Sequence, residues 1–161
     1  IWQCGTIQLD MNLPERFDIS YIDSNNQKIR PIMLHRAVFG SIERFIGILI
    51  EHYAGAFPLW LSPIQVAILP VNNEAHLKHA QSVARKFMRH GIRVELDDSN
   101  EKLSYRLRQS QVAKIPYTLV IGDTEKKDNL VTYRKFGDTA QVTIPYADFM
   151  RRIKQEIKDK A

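Results

Sequence analysis

The stretch MLHRAVFGSIERF, residues 33–45, sets a histidine and an arginine on a short apolar run, then a glutamate and a second arginine just past Gly40-Ser41, where a helical pattern opens. A helix N-terminus exposes unpaired N–H groups and positive partial charge, so it favours an anion. Arg44 stands in that first turn, where the dipole disfavours a cation, and a cation kept there calls for a negative or π-faced partner. That partner is either a ligand or an acid elsewhere in the chain. Ser41 is the natural N-cap. His35 lies on an extended segment whose alternation groups Met33, His35 and Ala37 on one face and Leu34, Arg36 and Val38 on the other. A lone imidazole is either a metal ligand or a structural hydrogen-bonding residue, and no second ligand stands at metal spacing in this sequence. Gln3, Thr6, Gln8 and Asp10 place polar groups along WQCGTIQLD, which suits a solvated sheet surface or the floor of a pocket read by amide hydrogen bonds.

A second set of chemistry-bearing residues lies further on. DDSNEKLSYRLRQSQVAKIP (97–116) carries Lys102, Arg106, Arg108 and Lys114 with Tyr105 among them, and GDTEKKDNLVTYRKFG (122–137) adds Lys126, Lys127, Arg134 and Lys135 beside Tyr133 and Phe136. Cations interleaved with aromatic rings suit single-stranded RNA, whose unstacked bases lie on rings and guanidinium planes. The alternative is a charged helix face followed by a hairpin. VIGD (120–123) offers one glycine after a strand, too little for a nucleotide-binding motif.

The elements that must position these residues fall into two groups. Residues 2–10 and 29–39 read as extended, separated by the turn stretch DSNNQK; then Ile42, Phe45, Ile46, Leu49 and Tyr53 recur at helical spacing, with Gly55 where such a helix would stop. GAFPLWLSP (55–63), with two prolines and two large aromatics, reads as a packed linker and sets the expected boundary between a first domain, 1–58, and a second, 59–161. Beyond it, VAIL (66–69), IRVEL (92–96), YTLVI (117–121) and LVTYRK (130–135) read as strands. Helices are expected around Leu77–Met88, from Glu101 to Ala113, and through Tyr146, Phe149, Ile153 and Ile157, with Pro145 suited to the first helical position. Strand, helix, strand, helix, strand implies an α/β domain: a mixed, mostly parallel sheet flanked by three helices, with an antiparallel edge.

With 44% hydrophobic and 25% charged residues, the 161-residue chain has the composition of an ordinary globular protein, which excludes disordered and collagen-like classes. The longest apolar run, FIGILI (45–50), is far short of the roughly 20 residues needed to span a bilayer. No charged-then-apolar leader is seen, and the single cysteine, Cys4, excludes an internal disulfide, so a cytoplasmic location and no membrane partner are expected. Residues 1–61 hold 5 basic and 6 acidic side chains and residues 62–161 hold 18 and 12, so the net charge of +5 resides in the second part. Such a domain suits a polyanionic partner, although a charged surface that only aids solubility has the same composition. The start at IWQCG, without methionine and within a strand-like pattern, suggests a piece of a longer chain.

WQCGTIQLDMNLPERFDISYI (2–22), HRAVFGSIERFIGILIEHYAG (35–55) and LSPIQVAILPV (61–71), in this order, resemble the C-terminal part of the threonyl-tRNA synthetases, a family of class II aminoacyl-tRNA synthetases. The likeness extends over essentially the whole chain, and the Gly-x-x-Glu-Arg of the second segment is similar to class II motif 3. It implies the end of a catalytic domain followed by an anticodon-binding domain. The parent enzyme would activate threonine with ATP and Mg, transfer it to tRNA(Thr), and work as a homodimer. By the same resemblance Arg44 would stack on the adenine of ATP, Ser41 and Gln3 would contact the nucleotide, and Gln8 would lie beside threonine. His35 would be the third ligand of a catalytic zinc whose other ligands lie outside this chain; that ion would bind the amino and hydroxyl groups of threonine and so reject valine. Asn100, Lys114, Glu125 and Arg134 fall where the family reads the anticodon loop, Lys114 at a position where arginine is common, so bidentate recognition there is not expected. Motifs 1 and 2 are missing from this sequence. The chain alone is expected to be catalytically silent and to hold no cofactor tightly. Two alternatives stand beside this reading: a free-standing anticodon-loop binding module without catalysis, and a small α/β nucleotide-binding protein.

Overall fold

The computed structural model describes residues 2–160. Ile1 and Ala161, the outer ends of the two expected domains, lie outside the described residues. The chain divides into two compact units between His52 and Tyr53, ahead of the 58/59 boundary read from the proline-rich linker.

The first unit contains β1 (Thr6–Asp10), α1 (Asn12–Arg16), β2 (Tyr21–Ile22), β3 (Lys28–Ile29), β4 (Met33–Ala37) and α2 (Ile42–His52). β1 and β4 form one antiparallel ladder, and β2 and β3 another. The stretch read as one extended segment over 29–39 is two strands, because Pro31 has no N–H to give a ladder and interrupts the pairing. Asp10 closes β1 by accepting the N–H groups of Asn12 and Leu13 on Oδ1, at 2.9 and 3.0 Å, which starts α1. Asp23 builds the β2–β3 turn in the same way from Asn25 and Gln27, with Asn26 at φ 61°. Among the described residues of this unit only Pro14 is buried, and α2, apolar along one stripe, buries nothing.

The second unit holds β5 (Val66–Pro70), α3 (Asn73–Arg89), β6 (Val94–Leu96), α4 (Leu103–Val112), β7 (Tyr117–Ile121), α5 (Asp123–Asp128), β8 (Leu130–Lys135), β9 (Val142–Pro145) and α6 (Tyr146–Asp159). These strands form one sheet in the order β6-β5-β7-β8-β9; β5 runs parallel to β6 and β7, and β8 and β9 add antiparallel ladders. The expected mixed α/β class is the one observed, with α5 and β9 added to the elements read from sequence.

Right-handed crossovers that step first to one side of β5 and then to the other carry α3 and α4 to opposite faces. The core records this: Val66, Ile68, Leu119, Ile121, Val131 and Tyr133 point into one cluster with Phe87 of α3 and Phe149 and Ile153 of α6. Phe149 stands near the centre, with ring centroids of Tyr133, Tyr117 and Phe87 at 5.0, 5.5 and 5.9 Å. The opposite face, with Ala67, Leu69, Thr118 and Thr132, carries α4 over β5 and is not fully covered at β8. The linker is fastened to this unit. Arg93 donates through Nε and Nη2 to the Ser62 carbonyl and through Nη2 to that of Trp60, and the amide of Gln65 bridges the Leu59 carbonyl and the Arg93 N–H.

Candidate functional sites on the two units

In the first unit the ladder register sets Gln8 directly opposite His35 and Asp10 opposite Met33. Paired residues of an antiparallel ladder share a face, so Gln8, His35 and Asp10 project together. His35 Nε2 lies 2.9 Å from Asp10 Oδ2, with the imidazole about 44% exposed. The Asp10 carboxyl is held below its usual range by the Leu13 N–H, then by His35, with Asn12 adding to the effect. A carboxylate on one ring nitrogen is how metal-binding imidazoles are oriented, and it leaves Nδ1 as the free donor. No group of three or more His, Cys, Asp and Glu that could hold a metal ion gathers among the described residues.

α2 begins as its sequence requires. Ser41 Oγ accepts the Arg44 N–H at 3.2 Å, and Gly40 at φ 65° makes the turn out of the strand segment. Arg44 is exposed, and its guanidinium carbon lies 5.8 Å from the centroid of the Trp2 ring, a π-faced partner for the cation held against the helix dipole. Gln3 is exposed and precedes β1.

In the second unit, the four residues expected to read RNA are not all brought together. Glu125, in α5, accepts from Gly122 N–H on Oε2 at 2.9 Å and from Thr132 Oγ1 on Oε1 at 2.6 Å. Thr132 in turn meets Thr143 Oγ1 of β9 at 2.7 Å. Burial pushes the Glu125 carboxyl up, but the hydrogen bonds from Thr132 and from the backbone N–H groups of Glu125 and Gly122 outweigh it and hold it below the usual carboxylate range. Arg134 follows Thr132 by two residues on β8 and so projects on the same face, opposite Thr118. Its Nε is buried without a hydrogen-bond partner, as is the hydroxyl of Thr118. Asn100 is exposed on the loop between β6 and α4, three strands across the sheet from β8, a span of roughly 14 Å at ordinary strand spacing. Lys114 is set apart. It follows α4, at the opposite end of that helix from Asn100, adopts φ 55°, and donates its ammonium to the Ala54 carbonyl.

Three side chains that shape these sites were not singled out from sequence: Trp2 beneath Arg44, Thr132 on Glu125, and Asn73, whose Nδ2 lies 3.3 Å from Asn100 Oδ1. The asparagine pair opening α3 in VNNEAH was the available signal for the last. The lobe's positive charge is not confined to one face: Arg85, Lys86 and Arg89 are exposed on α3, and Lys102 and Arg108 on the α4 side of the sheet.

Residues 65–156, which hold the five-stranded α/β sheet, match the family model of the anticodon binding domain. The chain belongs to that family. Residues 1–53 match a second model, the tRNA synthetase class II core domain (G, H, P, S and T). More particularly, the chain is homologous to the C-terminal region of threonine–tRNA ligases. It is 53% identical over 161 residues to the threonine–tRNA ligase of Carboxydothermus hydrogenoformans and 50% identical over 158 residues to threonine–tRNA ligase 2 of Bacillus subtilis, covering 99% and 98% of this chain. It spans 25% of the length of each of these relatives. Among solved structures, the RNA binding domain of threonyl-tRNA synthetase from Cryptosporidium parvum Iowa II superposes with a TM-score of 0.79 at 36% identity, over 96% of this chain and 39% of that one.

Proposed function

We propose that this chain is the motif 3 and anticodon-binding portion of a threonine–tRNA ligase, an enzyme that activates threonine with ATP and Mg and passes it to tRNA(Thr). The observation that carries the reading is the incompletely covered sheet face at β8, where Thr132 and Arg134 share a face beside Glu125 of α5, with Asn100 beyond them toward the sheet's far edge. That face presents the Arg134 guanidinium, the Asn100 amide and the lone pairs of Glu125 not used by Gly122 and Thr132 to unstacked bases. In sequence, residues 54–64 join the stretch matching the class II core to the stretch matching the anticodon binding domain.

In the first unit, Arg44 offers its guanidinium plane to a purine ring, and Ser41 and Gln3 are the nearby polar side chains for the nucleotide. Gln8 and His35, paired across β1 and β4, face a common space suited to an amino acid. A zinc ion, when bound, would act as a Lewis acid for an amino and a hydroxyl group. His35 would hold it through Nδ1, and Asp10 would keep the proton on Nε2. No helix among the described residues is long and apolar enough to cross a membrane. By its likeness to the threonine–tRNA ligases, the parent enzyme would be a cytoplasmic homodimer.

Titration of tRNA(Thr) or its anticodon stem–loop against the chain at several salt concentrations tests the proposal. Affinity should fall with salt along a negative log–log slope. Arg134→Ala should weaken binding about tenfold, while Arg89→Ala, on the α3 side, should not. Binding that ignores salt, or equal losses at Arg89 and Arg134, would overturn the reading. The 161-residue chain should show no aminoacylation turnover, since motif 3 alone does not complete an adenylation pocket.

A further inference from the structure

The loop that carries Asn100 is gripped from two sides. Arg106 of α4, only 4% exposed, donates through Nη1 to the Asp97 carbonyl at 3.0 Å and through Nη2 to the Pro70 carbonyl at 2.7 Å. One guanidinium thus ties the end of β5 to the residue that leaves β6. From the other side Asn73, the first residue of α3, donates Nδ2 to the Asp98 carbonyl at 2.7 Å and reaches the Ser99 carbonyl and Asn100 Oδ1 at 3.4 and 3.3 Å. Asp97 Oδ1 closes the loop on itself through the N–H and hydroxyl of Ser99, at 3.0 and 2.6 Å.

Asn73, Ser99, Asn100 and Arg106 line a cleft of about 370 Å³ together with Val71 and Glu74, beyond the C-terminal ends of β5 and β6. Two buried polar atoms in this cluster, Arg106 Nε and Asn73 Oδ1, have no partner. Burying a guanidinium against two carbonyls is a poor route to stability, because desolvation of the charge is only partly offset by such bonds and an apolar side chain would pack without that cost. The arrangement is better explained by what it fixes: the path of residues 97–100 and the rotamer of the Asn100 amide.

We propose that Arg106 and Asn73 are positioning residues for recognition by Asn100; they hold its amide in a binding orientation without touching the RNA phosphates. The inference rests on the reading of this lobe as an anticodon binder. A double-mutant cycle on the whole 161-residue chain tests it, with the anticodon stem–loop of tRNA(Thr) titrated by fluorescence anisotropy. Arg106→Met and Asn73→Ala should each weaken binding about tenfold, yet by less than about twofold once Asn100→Ala is present, since residues acting through one contact are not additive. Arg106→Lys, which keeps a donor for the carbonyls, should restore part of the affinity lost in Arg106→Met. The salt slope should stay at its wild-type value in both variants, whereas loss of a direct phosphate contact would flatten it by about one. Losses that persist undiminished in the Asn100→Ala background, or a flattened slope, overturn the proposal. Should Arg106→Met fail to fold by circular dichroism, the Asn73→Ala arm decides alone on the same criterion. Absence of stem–loop binding by the unmutated chain is the distinct outcome that removes the anticodon reading itself, and this inference with it.

Discussion

Both carboxylate oxygens of Glu125 are taken up inside the lobe, one by the backbone at the start of α5 and one by Thr132. A carboxyl held below its ordinary range contributes stability that is fully present above its unfolded pKa and is lost as pH falls through the folded value. Thr132→Val removes one of the stabilising donors, so the Glu125 titration should move up, and the stability gap between variant and parent should be widest near neutral pH and narrow in acid. Carbon-detected NMR titration of the Glu125 carboxyl, with urea melts at both pH values, checks this; an unmoved titration would show that Thr132 is irrelevant to the charge. At this scale the sequence exposed some partners and hid others. The Ser41 cap on the Arg44 N–H could be read from local order, because it acts within a few residues. The Asp10–His35 pair and the Glu125–Thr132 bond could not, since the first depends on the register of two distant strands and the second on the turn between α5 and β8.

α3 and α6 and the mostly apolar strands β5 and β7 were legible because burial imposes a period on the residue pattern, and α2 carries the same apolar stripe although none of its residues is buried. α5 escaped because DTEKKD buries none of its residues; Glu125 capping the Gly122 N–H holds it in place of a core face. β9 escaped as a short edge strand whose residues are half-buried or exposed. α1 is a single turn, started by Asp10. At the head of α3, Asn72 accepts the Ala75 N–H at 3.3 Å while its own N–H meets His76 Nδ1 at 3.1 Å. Asn72→Ala should therefore cost about 1 kcal/mol, the usual worth of an N-cap side chain, and lower the melting temperature of the lobe by a few degrees. No change in thermal midpoint would mean that the His76 contact alone secures that end of the helix.

At the level of the molecule, the large buried side chains among the described residues belong to the second unit, from Leu59 onward, while Ile7, Leu9, Leu34, Ile42 and Ile46 of the first are exposed. Burial of apolar surface is the main term favouring the folded state, so the two units should differ sharply in stability. Amide hydrogen exchange should show slow, cooperative protection across β5, β7, α3 and α6 and fast exchange throughout residues 6–52; uniform protection along the chain would contradict that picture. The Arg93 clasp on Trp60 and Ser62, with Gln65 on Leu59, has a practical corollary. Anyone trimming the chain to obtain an independently folding second unit should cut ahead of Tyr53 and not at residue 65, where the family match begins. Excision at the later point would strip the carbonyls from a guanidinium and a primary amide, and the shortened product should be less soluble and more readily digested by trypsin.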